Sequence, residues 1–194
     1  MKKIPKQIQK ENHIQFTDPT LIQKIISIVL RQDFNPKTIL EPSCGSGEFL
    51  YVLQQNFPHS DIVGIDKTAL ITDSIQDHFL PHVTIEHKNF FRIQRKFDLI
   101  IGWPPFCVMK KSDVPREQTP FMEGRPNSSI LFLLHAMDLI ESNGIIAFIL
   151  PVSFLCGLAY KTIRQIIYNH YHIISIFLLE EKGPKSYIVF IIQK

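Results

Sequence analysis

A chain of 194 residues, 45% hydrophobic and 20% charged, has the size and composition of one ordinary globular domain. Its net charge of +3 permits a nucleic-acid partner without demanding one. The three cysteines, Cys44, Cys107 and Cys156, are too scattered for a disulfide framework, so a reducing intracellular compartment is expected. The N-terminal Met-Lys-Lys-Ile-Pro-Lys lacks the apolar core of a signal peptide. The longest apolar run, 144–160, is broken by Pro151 and Ser153, which excludes a membrane span.

Residues 20–30 place Leu21, Ile22, Ile25, Ile26, Val29 and Leu30 at a helical period. A short apolar strand is expected over 38–40, a helix over 48–55, a strand over 61–65 and a helix over 69–79. Strands over 83–85 and 97–101 follow. After a long connection, Ser128 is placed to cap a helix over 130–140, which Asn143-Gly144 would end. The continuous apolar run 145–150 has the pattern of a strand covered on both faces. A helix over 158–168 and strands over 173–179 and 187–192 close the chain, the two strands joined by a connection short enough for a hairpin. Alternating β and α elements predict an α/β fold: a Rossmann-like, mostly parallel sheet of seven strands, helices on both faces, the terminal strand antiparallel. One domain, 1–194, is expected, with no separate target-recognition domain.

Two segments carry the chemistry. The first, Ile39-Leu-Glu-Pro-Ser-Cys-Gly-Ser-Gly-Glu-Phe-Leu50, is a strand ending in a small-residue turn that opens a helix. Gly45 and Gly47 there allow backbone N–H groups to approach a ligand, although a tight strand-to-helix turn alone would also require them. Asp66 ends the next strand roughly 20 residues later, the spacing at which an acid meets ribose hydroxyls. A dinucleotide fingerprint would want a third glycine where Leu50 stands, and Glu41 would repel a pyrophosphate. Glu41 instead suits a positively charged ligand. The second segment, Phe97-Asp-Leu-Ile-Ile-Gly-Trp-Pro-Pro-Phe106, is a buried strand running into a Pro-Pro turn tipped by an aromatic.

Together these segments resemble the class I S-adenosylmethionine-dependent amino-methyltransferases that act on adenine N6. The resemblance implies that Phe16, Thr17, Glu41, Pro42, Ser43, Cys44, Gly45, Gly47, Asp66, Asn89 and Phe90 form the S-adenosylmethionine site. Phe16-Thr17-Asp18-Pro19 would fold over the methionine end, and Asn89-Phe90 would flank the adenine, with Asn89 where the family usually has Asp. It implies a reaction site at Trp103, Pro104, Pro105 and Phe106, where the family reads Asn or Asp, Pro, Pro, aromatic. In that arrangement the first side chain and the following proline carbonyl accept hydrogen bonds from the target amine, and the aromatic stacks on a flipped base.

Trp103 departs from this pattern. An indole N–H only donates, so it offers nothing to an amine, and it is much larger than Asn. Three readings follow: a chain that binds but has lost turnover, a substitution introduced to block turnover, or a change tolerated because the Pro104 carbonyl alone holds the amine. The connection 107–127 carries Lys110, Lys111, Arg116 and Arg125, cations placed to hold substrate phosphates. The expected partners are DNA or RNA containing a target adenine, with recognition supplied by a partner chain, a missing segment or RNA structure, and no membrane. The alternatives are a degenerate nucleic-acid-binding subunit and a protein-glutamine methyltransferase. The eight histidines have no neighbouring ligands at metal spacing, and no metal is expected.

Overall fold

The computed structural model describes residues 17–110, 112, 118, 127–179 and 186–194. In chain order the elements are α1 (Pro19–Leu30), β1 (Thr38–Glu41), α2 (Glu48–Asn56), β2 (Asp61–Asp66), α3 (Ala69–Ile75), β3 (Val83–His87) and β4 (Phe97–Gly102). They continue with α4 (Ser128–Leu139), β5 (Ile140–Pro151), a short α5 (Ser153–Cys156), α6 (Lys161–His170), β6 (His172–Leu179) and β7 (Tyr187–Gln193). The strands form one seven-stranded sheet in the order β3-β2-β1-β4-β5-β7-β6. Strands β1 to β5 pair in parallel, and β7 runs antiparallel to both β5 and β6. The expected architecture is therefore present, the reversed strand included. Among the described residues no helix is long and apolar enough to cross a membrane.

Period-two alternation splits the core between the two faces of the sheet. In β5, Ile146, Phe148 and Leu150 join α4 and α6 on one side. Their neighbours Ile145, Ala147 and Ile149 join α1 and α2 on the other. Both faces are covered, which is why β5 reads as a continuous apolar run. Gly64 in β2 allows close helix–strand packing, since a Cβ there would lie 2.5 Å from Leu50 Cδ1 in α2. The space that a third glycine would open in the turn is made from the strand side instead.

Four local expectations are corrected. The cap of α4 is Asn127, whose Oδ1 accepts from the Ser129 N–H at 3.0 Å and the Ser129 hydroxyl at 2.7 Å; Ser128 is the first helical residue. Asn143-Gly144 does not end α4, which stops at Leu139. The pair lies inside β5, where Asn143 takes a left-handed φ of 65° and the pairing with β4 shifts register. Lys194 closes that bulge, its N–H donating to the Gly144 carbonyl at 3.0 Å and its carbonyl accepting from the Asn143 N–H at 3.1 Å. The helix expected over 69–79 is shorter, passing into a 3₁₀ turn at Gln76–His78, and the one expected over 158–168 opens with a 3₁₀ turn at Leu158–Tyr160. The connection between β6 and β7 falls on 180–185, outside the described residues.

Asp98 fixes the relative height of β1 and β4. Its Oδ2 accepts from the N–H groups of Lys37 and Thr38, each at 2.9 Å, and from the Thr38 hydroxyl at 3.1 Å. The Thr38 hydroxyl in turn accepts from the Asp98 N–H at 3.1 Å. Replacing Asp98 by Ala strands these donors, and unsatisfied donors of this kind cost about 1–3 kcal/mol. Asp98→Ala is expected to lower unfolding free energy by that amount in urea titrations, with the denaturant slope unchanged.

Candidate functional site

The order of the sheet reverses between β1 and β4, and in open parallel sheets ligands bind beyond the carboxyl ends of the strands at such a point. A cavity of about 310 Å³ lies there. Of the expected site residues it is lined by Thr17, Glu41, Pro42, Ser43, Cys44, Gly45, Asp66, Asn89, Phe90, Trp103 and Pro105. Chain segments far apart in sequence thus converge on one space.

Glu41 ends β1 at 2% exposure, and its Oε2 has no hydrogen-bond partner among the described residues. Burial pushes its carboxyl well above the usual carboxylate range, and the nearby charges of Asp66 and Glu48 push the same way. A hydrogen bond from the Ser43 backbone opposes them. Gly102, at the end of β4, permits this placement: a Cβ there would lie 2.7 Å from Glu41 Oε1.

The turn after β1 is held tightly. The Cys44 N–H donates to the Ile65 carbonyl at 2.8 Å, and the Gly47 N–H donates to the Cys44 carbonyl at 2.8 Å. Gly45 and Gly47 take φ of 49° and 86°, a region that disfavours side chains. Gly47 does not line the cavity; it starts α2, where a Cβ would meet Phe79 Cζ at 2.7 Å. Asp66 spans the site, its Oδ2 accepting from the Gly45 N–H at 3.2 Å and its Oδ1 from the Thr68 N–H at 2.9 Å. Burial, with Glu41 next in weight, raises the Cys44 thiol well above its usual range, so Cys44 packs rather than reacts.

At the adenine-side positions, Asn89 Oδ1 accepts from the Phe91 N–H at 3.1 Å, capping a 3₁₀ turn at Phe90–Arg92. A ligand meets Asn89 through its NH₂ group or the second lone pair of that oxygen. Phe90 is buried, stacked on Phe132 with ring centroids 4.8 Å apart. Phe91 and Phe132 also line the cavity, as do Glu48 and Lys88. The sequence reading assigned Phe132 and Glu48 to helices and no more; their approach depends on how α4 and α2 meet the sheet. Thr17 is buried against the cavity, while Asp18 caps α1 through the Thr20 N–H at 2.8 Å.

Beyond β4, residues 103–107 run on as irregular chain rather than a hydrogen-bonded turn. The Ser128 hydroxyl donates to the Pro105 carbonyl, and the Ser128 N–H donates to the Cys107 carbonyl at 2.9 Å, so the start of α4 anchors the segment. Pro104 is buried and does not line the cavity. The half-buried Trp103 meets Tyr187 edge to face, with centroids 5.1 Å apart and planes at 76°. Phe106 meets the same Tyr187 ring at 6.1 Å. Trp103 Nε1 and the Tyr187 hydroxyl are buried without hydrogen-bond partners among the described residues. Tyr187, the first residue of β7, was placed by the sequence reading in a strand and in no site. The available signal was an aromatic opening the terminal strand.

Lys110 is exposed and does not line the cavity. Phe16, Lys111, Arg116 and Arg125 lie outside the described residues. Among the described residues no group of His, Cys, Asp or Glu side chains is placed to hold a metal ion.

Glu41 gives a pH signature. With its folded pKa above the ordinary 4.5, the folded state holds an extra proton between those two values. The contribution of neutral Glu41 is complete below 4.5 and is lost as pH rises toward the raised value. Ligand-free protein should therefore lose stability over that window, and Glu41→Gln should flatten this segment of a urea-midpoint-against-pH curve.

The chain resembles known proteins along most of its length. The family model described as Eco57I restriction-modification methylase matches residues 48–183. Type II methyltransferase M.CvrRI of Paramecium bursaria Chlorella virus XZ-6E is 27% identical over 198 aligned residues, covering 100% of this chain and 51% of that protein. The chain thus spans about half the length of such relatives. Among solved structures, the type IIG restriction endonuclease BpuSI superposes with a TM-score of 0.75 at 19% identity, over 92% of this chain and 25% of that one. A candidate class I S-adenosylmethionine-dependent methyltransferase from Listeria monocytogenes superposes at 0.70 and 20% identity, over 91% and 58%. These structural likenesses agree on the fold, and the family match covers more than half of the sequence: the chain belongs to the Eco57I restriction-modification methylase family.

Proposed function

We propose that this chain is the catalytic domain of an S-adenosylmethionine-dependent DNA methyltransferase acting on adenine N6, with turnover limited by Trp103. The observation that carries the reading is the unpartnered carboxylate oxygen of Glu41, buried in a cavity at the switch point of the sheet. A buried acid without a partner calls for a ligand bearing positive charge. Glu48 and Asp66 line the same space and reinforce that demand, while repelling phosphate. The volume of about 310 Å³ falls at the small end of ligand pockets, which run from roughly 300 to 1,000 Å³.

S-adenosylmethionine supplies an electrophilic methyl group on a sulfonium. Glu41 would pair with its positive charge, losing its own proton as it does so. Asp66 would accept from ribose hydroxyls with the lone pairs left free by Gly45 and Thr68. Phe91, Phe132 and the remaining surface of Phe90 would enclose the adenine, with Asn89 at its edge. Thr17 would close the methionine end. Pro104 and Pro105, anchored through Ser128, would hold the backbone beside the incoming base, and Phe106 would stack on it.

Trp103 changes the last part of this scheme. Its N–H cannot accept from an amine, and its ring, lodged against Tyr187, fills space beside the base position. Loss of one preorganised partner costs on the order of 10²–10³ in rate. The same feature favours a second reading, a subunit that binds cofactor and DNA with little turnover. A family model described as a restriction-modification methylase and a relative named a type II methyltransferase support DNA over RNA or protein glutamine. Sequence readout would come from another segment or a partner chain.

Methyl transfer from labelled S-adenosylmethionine to adenine-containing duplexes tests this directly, with Trp103→Asn beside the chain as it stands. Both should bind cofactor in calorimetry, and Trp103→Asn should transfer methyl to adenine about 10²-fold faster or more. Cofactor binding without transfer to adenine by either chain, or transfer to protein glutamine instead, would overturn the assignment.

A further inference from the structure

A second concavity, larger and more open than the first at about 700 Å³, lies along the carboxyl end of β3, the outermost strand of the sheet. Lys67, Lys88, Arg92 and Arg95 line it, with Glu86 the one carboxylate among the described lining residues. Both oxygens of Glu86 are engaged, Oε2 with Lys88 at 2.9 Å and Oε1 with Arg95 at 3.3 Å. Lys67 and Arg92 have no carboxylate partner among the described residues. The groove therefore holds three positive charges in excess, on solvent-exposed side chains. None of them was singled out in the sequence, where they are scattered over residues 67–95.

The position of the groove matters as much as its charge. Lys67 follows β2, residues 88–95 follow β3 and Trp103 follows β4, so parallel pairing brings all three to one edge of the sheet. Three strand spacings of about 4.8 Å separate β3 from β4, or about 14 Å. That equals about four base-pair steps of ~3.4 Å. A duplex lying across this edge with one base at Pro104–Phe106 would lay its backbone along the groove. Lys67, Lys88 and Asn89 line both concavities, so the groove meets the cavity at its rim.

We propose that this β3-edge groove grips the phosphate backbone of duplex DNA a few base pairs from the target base, through Arg92, Arg95, Lys67 and Lys88. The proposal rests on the DNA reading above and adds a contact surface to it. The contact is electrostatic and blind to sequence, and it orients the duplex while recognition is made elsewhere.

The test is the salt dependence of binding to a labelled mixed-sequence duplex, measured by anisotropy. Each phosphate contact contributes about 0.9 to the slope of log K against log salt concentration. Arg92→Gln should lower that slope by about 0.9, and Gln94→Lys, which adds a cation to the groove lining, should steepen it by about the same amount. Calorimetric affinity for S-adenosylmethionine should not move in either variant, since neither residue lines the cavity. If the unsubstituted chain binds the duplex and both variants keep its slope, the groove proposal fails while the DNA reading stands. If the unsubstituted chain binds cofactor but no duplex at low salt, the DNA reading fails and the groove falls with it.

Discussion

Burying a carboxylate costs several kcal/mol unless a partner offsets it, and Glu41 is buried with one oxygen facing no protein donor. Much of the carboxyl edge of the sheet is arranged around that cost. A Cβ at Gly102 would press on Glu41 Oε1 at 2.7 Å. The turn from Cys44 to Gly47 brings Asp66 beside Glu41 rather than away from it, and Asp66 is itself tied to that turn through the Gly45 N–H. Glu41, buried beside Asp66, is tolerable while it keeps a proton, and better relieved when a cation enters. Charge therefore restricts the ligand class more tightly than shape does. A dinucleotide cofactor would fit the general plan of the fold, yet it would place phosphate against Glu41, Glu48 and Asp66.

The sheet was legible because its strands obey simple periodicities. The continuous apolar run in β5 announced burial on both faces, and the alternation of strand and helix patterns announced parallel pairing. The acidic end of the cavity was legible for a related reason: Glu41 and Asp66 sit at strand ends, and a parallel sheet gathers strand ends at one edge. What escaped was set by chain segments distant from one another. Tyr187 meets Trp103 across 84 positions, and nothing local in either segment encodes that contact. Ser128, expected as the cap, is the first residue of the helix and donates to the Pro105 carbonyl, while Asn127 caps. Asn143-Gly144 was read as a helix stop because a left-handed residue serves a bulge as well as a cap.

The two ends of the cavity differ in how far they keep the expected chemistry. At the acidic end, the expected residues from Thr17 to Asn89 that lie within the described chain converge with only Gly47 set back. At the other end, two prolines and Phe106 remain, but the residue ahead of them presents a donor where an acceptor is expected. Its ring is not adrift: it packs edge to face on Tyr187, which also meets Phe106. Such aromatic pairs contribute about 0.5–1.5 kcal/mol beyond area burial. Trp103 is thus integrated into the fold, with the indole N–H and the Tyr187 hydroxyl both left unpaired nearby. Leaving buried polar atoms unpaired is itself costly, and the aromatic contact offsets part of that cost.

Charge is zoned across the carboxyl edge, negative inside the cavity and positive along the outer strand, with Lys67 and Lys88 at the boundary. At physiological salt the screening length is about 8 Å, so each zone acts mainly on what lies directly against it. An interior lined by Glu41, Glu48 and Asp66 admits a cation and turns away a phosphate, whereas the groove does the reverse. On the proposed reading, the same edge can then hold a cationic cofactor and a polyanionic substrate without either competing for the other's place. The nucleic-acid part that could approach the acidic interior is a neutral base freed from its backbone by flipping. On that reading Trp103 would stand where the base meets the cavity, so its bulk and its hydrogen-bonding sense would act at the one point where the two zones exchange a group.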